Sequence, residues 1–480
     1  MSLAGAAARG GAVTLAGQLA RAGIQFLGVA VLARLISQQD FGLVAMCVAF
    51  IGIATVLGDF GLSMAAIQSQ TITHGQRSNL FWTNTLIGAV LFGVVLAVAP
   101  AIALFYGQPQ LVDITRALAV TFLLNSLAAQ FRAEVSMRLR FKWLMTADVG
   151  SAAVALGVAI FLAFQGAGYW ALVAQQITVA VVTLVILVVG ASWIPGLPRR
   201  GEGMRALYTF GANTLGVQLL TYATSNVDSI LVGRVWGAQS LGIYDRAFRL
   251  FRLPLQQIAA PMTKVAMPIL SRLQDDVRYD AYLARAQLVL GYSFGGAFLL
   301  LAGMSGPVIE ILLGPGWDLA KPIFAVLAVG GVFQGIGYVY YWVFLSRALT
   351  GVQLRWTVIS RSATIGLMLV GVAWGPVGVA AAASAGQALN WTLLTLFPMR
   401  KAGLRRAPLV IAALRPITFL APLSIVSFVL SYTLLEPLGA WVSLAILMSI
   451  ALAYLAAGAL VAPIRDDYRK IWDVVRRLRR

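Results

Sequence analysis

Apolar runs of about 20 residues alternate with short polar connections along the whole chain, the spacing of helices that cross a hydrocarbon core about 30 Å thick. Such windows fall near 12–36, 41–66, 80–104, 111–136, 144–165 and 168–192, then near 206–236, 241–268, 288–313, 321–346, 355–375 and 377–398. A last pair lies near 411–435 and 439–462. The pattern predicts an all-α polytopic membrane protein with about fourteen transmembrane helices. The first apolar run, after Arg9, exceeds the roughly 7–15 residues of a signal-peptide core, so it is expected to stay as a span.

The pattern also repeats. Gly11–Gly42 align without a gap on Gly211–Gly242, with identity at Gly11/Gly211, Ala12/Ala212, Thr14/Thr214, Leu15/Leu215, Gln18/Gln218, Leu19/Leu219, Arg34/Arg234, Gln39/Gln239 and Gly42/Gly242. Chance would give roughly two matches. Two six-helix lobes, 1–200 and 201–400, followed by two additional helices and a basic tail in 401–480, are the organisation this predicts. Repeated membrane halves are the plan of a secondary transporter with its substrate site between them.

Composition agrees: 60% of residues are hydrophobic and 11% charged. One Cys and one His leave no basis for a disulfide framework, a Cys/His metal site or a His-based catalytic triad, and no GxxxxGK[ST] phosphate loop is present. The reading is therefore a non-enzyme with no catalytic residues, metal or cofactor. The net charge of +19 sits beside hydrophobic spans, which argues for membrane topology rather than nucleic acid. Arg77, the set Arg138, Arg140 and Lys142, the set Arg199, Arg200 and Arg205, and Arg272, Arg278 and Arg285 all fall on even-to-odd connections. The same side collects Arg347, Arg355, the cluster Arg400–Arg415 and the tail from Arg465 to Arg480. The positive-inside rule makes that side cytoplasmic, with both termini there. The segment Ser271–Gln287, with Asp275, Asp276 and Asp280 among its arginines, reads as a solvated or lateral helix.

Charges inside spans are costly and point to function once snorkelling and pairing are weighed. Arg246, Arg249 and Arg252 recur at intervals of three in the eighth span. With Arg246 at 0°, Arg249 falls near 300°, Arg252 near 240°, Gln256 near 280°, Gln257 near 20° and Lys264 near 0°, one polar stripe at about 100° per residue. Arg252 lies about 16 Å into the span. Guanidinium forks at that depth suit a phosphate or carboxylate; the alternative is neutralisation by Asp245 and neighbouring carboxylates. Pro254, Pro261 and Pro268, seven residues apart, describe either a bent gating helix or a statically packed curved one. In the first span Gln18, Arg21 and Gln25 share a face, where Arg21 either captures a headgroup or pairs with a carboxylate such as Asp59. Asn226 and Asp228, with Asp59, are candidates for a coupling cation or proton; Asp228 could equally partner an arginine of the eighth span. Asp59 and Asp148 could also be solvated at headgroup level, and Arg34 and Arg234 are expected to anchor at an interface. The 200-residue offset sets Met46, Ala49 and Gly52 opposite Arg246, Arg249 and Arg252, so the halves are alike in pattern and unlike in charge.

The words Val31–Leu43, Asp59-Phe-Gly-Leu-Ser63, Asn226–Arg234, Leu241-Gly-Ile-Tyr-Asp-Arg-Ala247 and Pro268–Gln274 resemble the polysaccharide flippase branch, Wzx-type, of the multidrug/oligosaccharidyl-lipid/polysaccharide exporter superfamily. The resemblance implies a twelve-helix core plus a terminal pair in the bacterial inner membrane. It implies that an undecaprenyl-diphosphate-linked oligosaccharide is moved to the periplasmic leaflet by alternating access, for exopolysaccharide or lipopolysaccharide synthesis. Implied partners are membrane lipid, the lipid-linked oligosaccharide, and a polysaccharide polymerase and co-polymerase, with the protein working as a monomer. Arg246 lies in one of these motifs; Arg249 and Arg252 rest on helix geometry. Two other functions stay open: a cation-coupled exporter of drugs or small solutes, and a scaffold that recruits synthesis enzymes through the basic tail, which could instead bind lipid.

Overall fold

The computed structural model describes residues 3–59, 72–201, 226–273, 278–401 and 403–478, with positions 203–205, 207, 208, 215, 222 and 276. Side chains before residue 16 and from 53 to 71 lie outside the described set, so the motif at Asp59–Ser63 and most of the second repeat copy before Asn226 are not covered.

Among the described residues every regular element is helical. The helices are α1 (Leu3–Leu35), α2 (Gln38–Asp59), α3 (His74–Tyr106), α4 (Leu111–Met137), α5 (Phe141–Phe164), α6 (Tyr169–Ala191), α7 (Val227–Arg272) and α8 (Tyr279–Gly303). They continue with α9 (Ser305–Leu313), α10 (Ala320–Ile336), α11 (Tyr338–Ser346), α12 (Thr350–Gly371), α13 (Gly375–Leu396), α14 (Arg406–Tyr432), α15 (Ala440–Gly458) and α16 (Ala462–Leu478). Ten stretches among the described residues are long and apolar enough to cross a membrane, and one of them, Gly351–Leu396, holds both α12 and α13. The second span is described as apolar only over Gln38–Gly52, and the eighth carries too many charges to score as apolar, so the expected fourteen are compatible with this set.

The ends of the helices follow local chemistry. Thr73 Oγ1 accepts from the Gln76 amide at 3.0 Å while Gln76 Oε1 accepts from the Thr73 amide at 3.1 Å, a capping box that starts α3. In the turn after α7, Arg278 donates to the Asp276 carboxylate from its side chain (2.7 Å) and backbone (2.8 Å), and these bonds hold the Asp276 pKa down at about 2. The expected solvated helix at 271–287 is corrected by the structure. Tyr279, Leu283 and Gln287 are buried at successive turns, so the charged stretch from Tyr279 is the first part of α8 itself.

The chain forms two compact units, 1–245 and 246–480. Within the first, α3 packs on α4 through Gly88 against Ser126 and through Phe81, Phe131 and Trp193. Glu134, 1% exposed, accepts from Arg77 Nη1 through both oxygens at 2.9 Å and from Arg138 Nε at 2.6 Å. Two guanidinium groups thus neutralise a carboxylate that burial alone would penalise. Within the second, α8 meets α14 at Gly291 against Pro416 and Gly303 against Ser424, the small-residue packing typical of helices in lipid.

The two repeat copies touch each other inside the first unit. A Cβ on Gly42 would overlap the carbonyl oxygen of Ala238, and a Cβ on Gly242 would overlap that of Gln38. These contacts exchange under the 200-residue offset, 42 with 238 and 242 with 38, as a two-fold relation requires. Gln239 Nε2 donates to Gln38 Oε1 at 3.2 Å beside them. The helix breaks match too. Ser37 separates α1 from α2, with its hydroxyl donating to Asp40 at 2.6 Å; its counterpart Gly237, at φ +80° and ψ −178°, interrupts α7. That φ favours glycine because a Cβ would clash with its own backbone.

Gly42→Ala and Gly242→Ala are each expected to cost about 1–3 kcal/mol by overpacking. Gly296→Ala in α8, where nothing lies within 4 Å of the added atom, is expected to be neutral or stabilising by up to about 1 kcal/mol. Thermal unfolding of the purified protein in detergent checks this; equal midpoints for all three would contradict the crossing.

Candidate substrate-binding face

The face begins with what holds α7 from behind. Leu250, Phe251, Leu255, Ala259, Ala266 and Leu270 are buried on one side of the helix. Phe251 packs on Phe298 (ring centroids 5.4 Å), Phe298 on Phe294 (6.1 Å) and Phe294 on Tyr338 (6.2 Å), with Gly331 close against Phe251. Trp342 Nε1 donates to Thr263 Oγ1 at 3.0 Å, and Thr263 donates to the Ala259 carbonyl at 2.8 Å. Aromatic packing and this pair of hydrogen bonds fix the rotation of the helix.

The opposite side is exposed and carries Arg249, Arg252, Gln256, Gln257 and Lys264. The Arg252 guanidinium lies over the Phe248 ring at 4.9 Å, so its long side chain is steadied by a cation–π contact. Arg246 does not share that surface. It is 7% exposed, on the inward edge of the stripe. The sequence periodicity grouped all three arginines; the structure separates Arg246 from Arg249 and Arg252 because the packed side of α7 extends to the 0° direction near Arg246 and not near Lys264. Pro261 and Pro268 are exposed and Pro254 half-buried, all within α7, whose non-helical residue is Gly237.

Gln18, Arg21 and Gln25 are all exposed on α1, again as one polar face on an apolar span. Asn226 and Asp228 have separate hydrogen bonds. Asn226 Nδ2 donates to the Tyr222 carbonyl at 2.9 Å. Asp228, 4% exposed, accepts from the Tyr244 hydroxyl at 2.9 Å and from the Ser229 amide at 2.8 Å. Asp148 pairs with Arg132 Nη2 at 2.8 Å rather than being solvated alone. The Arg234 guanidinium lies over the Phe105 ring at 5.6 Å. Among the described residues no group of three His, Cys, Asp or Glu is placed to hold a metal ion.

Two buried carboxylates were not singled out by the sequence: Glu134, described above, and Asp467 in α16, which accepts from Arg415 Nη1 at 2.9 Å and from the Tyr292 hydroxyl at 3.3 Å. Glu134 carried a faint signal, a lone acid near the end of an apolar span with Arg138 four residues on. Arg415 and Asp467 are 52 residues apart and carried none.

An exposed guanidinium pair with neighbouring amides on one helix can bind an oxyanion bidentately while the amides hydrogen-bond hydroxyl groups. Comparison with known proteins places this face in a family context. Relatives include the teichuronic acid biosynthesis protein TuaB of Bacillus subtilis, 29% identical over 58% of this chain and 59% of its own length. The lipopolysaccharide biosynthesis protein WzxC of Escherichia coli is 24% identical over 79% of this chain and 78% of its own. The alignment with TuaB thus spans less than two thirds of that relative. Among solved structures, lipid II flippase MurJ in an inward closed conformation has the same fold, with a TM-score of 0.70 over 92% of this chain and 99% of that one at 17% identity. Residues 31–322, which include the α7 face, match the polysaccharide biosynthesis protein family, and the chain belongs to it.

Proposed function

We propose that the protein is a flippase that carries an oligosaccharide repeat unit on undecaprenyl diphosphate from the cytoplasmic to the periplasmic leaflet of the bacterial inner membrane, for exopolysaccharide or lipopolysaccharide synthesis. Family membership and the relatives' roles in teichuronic acid and lipopolysaccharide biosynthesis support the substrate class. The observation that carries the reading is the exposed Arg249–Arg252 face of α7. An arginine at mid-membrane costs about 2.5–3.5 kcal/mol on insertion scales. Two arginines on one exposed face offer an anion two guanidinium groups at once. A diphosphate supplies oxyanions that match the planar guanidinium forks, and Gln256 and Gln257 can take glycan hydroxyls.

In this mechanism lobes 1–200 and 201–400 rock about the bound headgroup, and 401–480 adds the terminal helices and tail. Both termini are cytoplasmic, so Arg272 and Lys264 meet the diphosphate before Arg252 and Arg249; Lys264 lies about 18 Å along the helix from Arg252. Gln18, Arg21 and Gln25 supply a second polar set. Pro254, Pro261 and Pro268 leave the carbonyls of Leu250, Gln257 and Lys264 without their helical donors, which lets α7 bend during gating. A coupling cation at Asn226 and Asp228, with Asp59 as a further candidate, would have to displace the Tyr244 hydroxyl from Asp228. One chain forms the transport unit. It performs no covalent step and delivers its cargo to a polymerase and co-polymerase.

Arg249→Ala or Arg252→Ala is expected to lower polymer export at least about tenfold at unchanged membrane abundance, and Arg252→Lys to retain part of it, since it keeps charge but loses the fork. Export in a complemented deletion strain with quantitative immunoblotting checks this; unaltered export removes the face from the mechanism. Arg246→Ala is expected instead to reduce the amount of folded protein, because truncation at a buried charged position is destabilising. Normal abundance with lost export would move Arg246 into the binding set.

A further inference from the structure

The C-terminal helix α16 is anchored on one side and basic on another. With Ile464 taken as 0°, Asp467, Tyr468 and Ile471 fall within about 60° of it. Ile464 and Asp467 are buried and the other two half-buried. Asp467 is gripped by Arg415 of α14 and Tyr292 of α8, while the Tyr468 hydroxyl donates to the Leu455 carbonyl of α15 at 3.1 Å and its ring meets Tyr292 at 5.8 Å. These contacts fix which way the rest of α16 turns. Arg465, Arg469, Trp472 and Arg476 then fall together at about 80–140°, all exposed. Trp472 is 53% exposed, and the Arg476 guanidinium lies over its ring at 5.5 Å. Asp466 and Asp473 flank this edge at about 180–200°, and Asp466 reaches Arg469 at 3.8 Å.

Residues 459–461 alone separate α16 from the membrane helix α15, so α16 starts at the bilayer surface. A helix there with one packed side and an edge of arginines around an exposed tryptophan has the chemistry of the headgroup layer: the indole sits among glycerol and carbonyl groups, and the guanidinium groups meet phosphates. We propose that this edge is a binding site for anionic phospholipid headgroups, which holds α16 in the interface plane and ties α8, α14 and α15 to the bilayer surface through Asp467 and Tyr468. The site is separate from the α7 face, and its test does not depend on transport.

The test uses the full chain with its single cysteine replaced (Cys47→Ser), Trp472→Cys introduced and an environment-sensitive fluorophore attached there. Nanodiscs contain phosphatidylcholine alone or with a minority of phosphatidylglycerol. With phosphatidylglycerol the emission is expected to shift to the blue and acrylamide quenching to fall about twofold, because a polybasic edge is drawn to an anionic surface. Combining Arg465→Gln, Arg469→Gln and Arg476→Gln should abolish the difference. Should that variant misfold on gel filtration, about 0.5 M salt added to the unsubstituted edge should reverse the shift instead. Identical emission in both lipids, or a lipid difference that survives both neutralisation and salt, would overturn the proposal. So would a probe that ignores phosphatidylglycerol and responds only to a co-reconstituted polymerase, which would make the edge a protein-docking surface.

Discussion

The close crossing at Gly42 and Gly242 is the constraint on which the packing of the two repeat copies in the first unit depends. Each glycine lets a backbone carbonyl of the other repeat copy approach where any side chain would collide. In lipid, where apolar surface gains little by leaving its surroundings, such backbone proximity and the dispersion it permits supply much of the association. Gly242 lies five residues after the break at Gly237 and two before Tyr244, which is buried and donates to Asp228. Beyond residue 245 the rotation of α7 is held by Phe251 against Phe298 and by the Trp342–Thr263 hydrogen bond. Arg246 is turned inward, and Arg249 and Arg252, one turn and nearly two turns on, emerge on the exposed side.

The same repeat shows how one architecture came to hold a charge asymmetry. Met46, Ala49 and Gly52, the counterparts of the three arginines, are buried. Gly52 makes room for the Tyr222 hydroxyl, which donates to the Val48 carbonyl at 3.1 Å. At the last two of these positions one copy is packed where the other is exposed, while Met46 and Arg246 are both buried. The first copy closes a helix contact, and the second carries the groups suited to an anionic headgroup.

Much of this was legible from period and spacing. The apolar windows anticipated the helices, and their ends near 36 and 236, with restarts near 41 and 241, bracket the interruptions at Ser37 and Gly237. What stayed hidden depends on partners distant in sequence. Arg77 read as a loop charge because nothing near it in sequence disclosed that Glu134, 57 residues on, would be buried beneath it. The stretch from Tyr279 to Gln287 read as solvated because Asp280 and Arg285 dominate its composition, while the buried side, Tyr279, Leu283 and Gln287, is set by spacing. The polar stripe of α7 was visible as a direction in angle, but that Arg246 would be buried while Arg249 and Arg252 stay exposed depended on packing that periodicity does not encode. The tail read as basic; its single buried carboxylate, Asp467, decides how it docks.

The proposed role of Arg249 and Arg252 is to grip the diphosphate of a polyprenyl carrier. Its most direct test is binding of defined lipids to the purified full-length protein, by native mass spectrometry, comparing undecaprenyl diphosphate, undecaprenyl monophosphate and undecaprenol. The account predicts affinity in that descending order for the unsubstituted protein, and loss of the preference for diphosphate over monophosphate in the combined Arg249→Gln and Arg252→Gln variant. Affinity that ignores the number of phosphates, or a diphosphate preference that survives both substitutions, would contradict it.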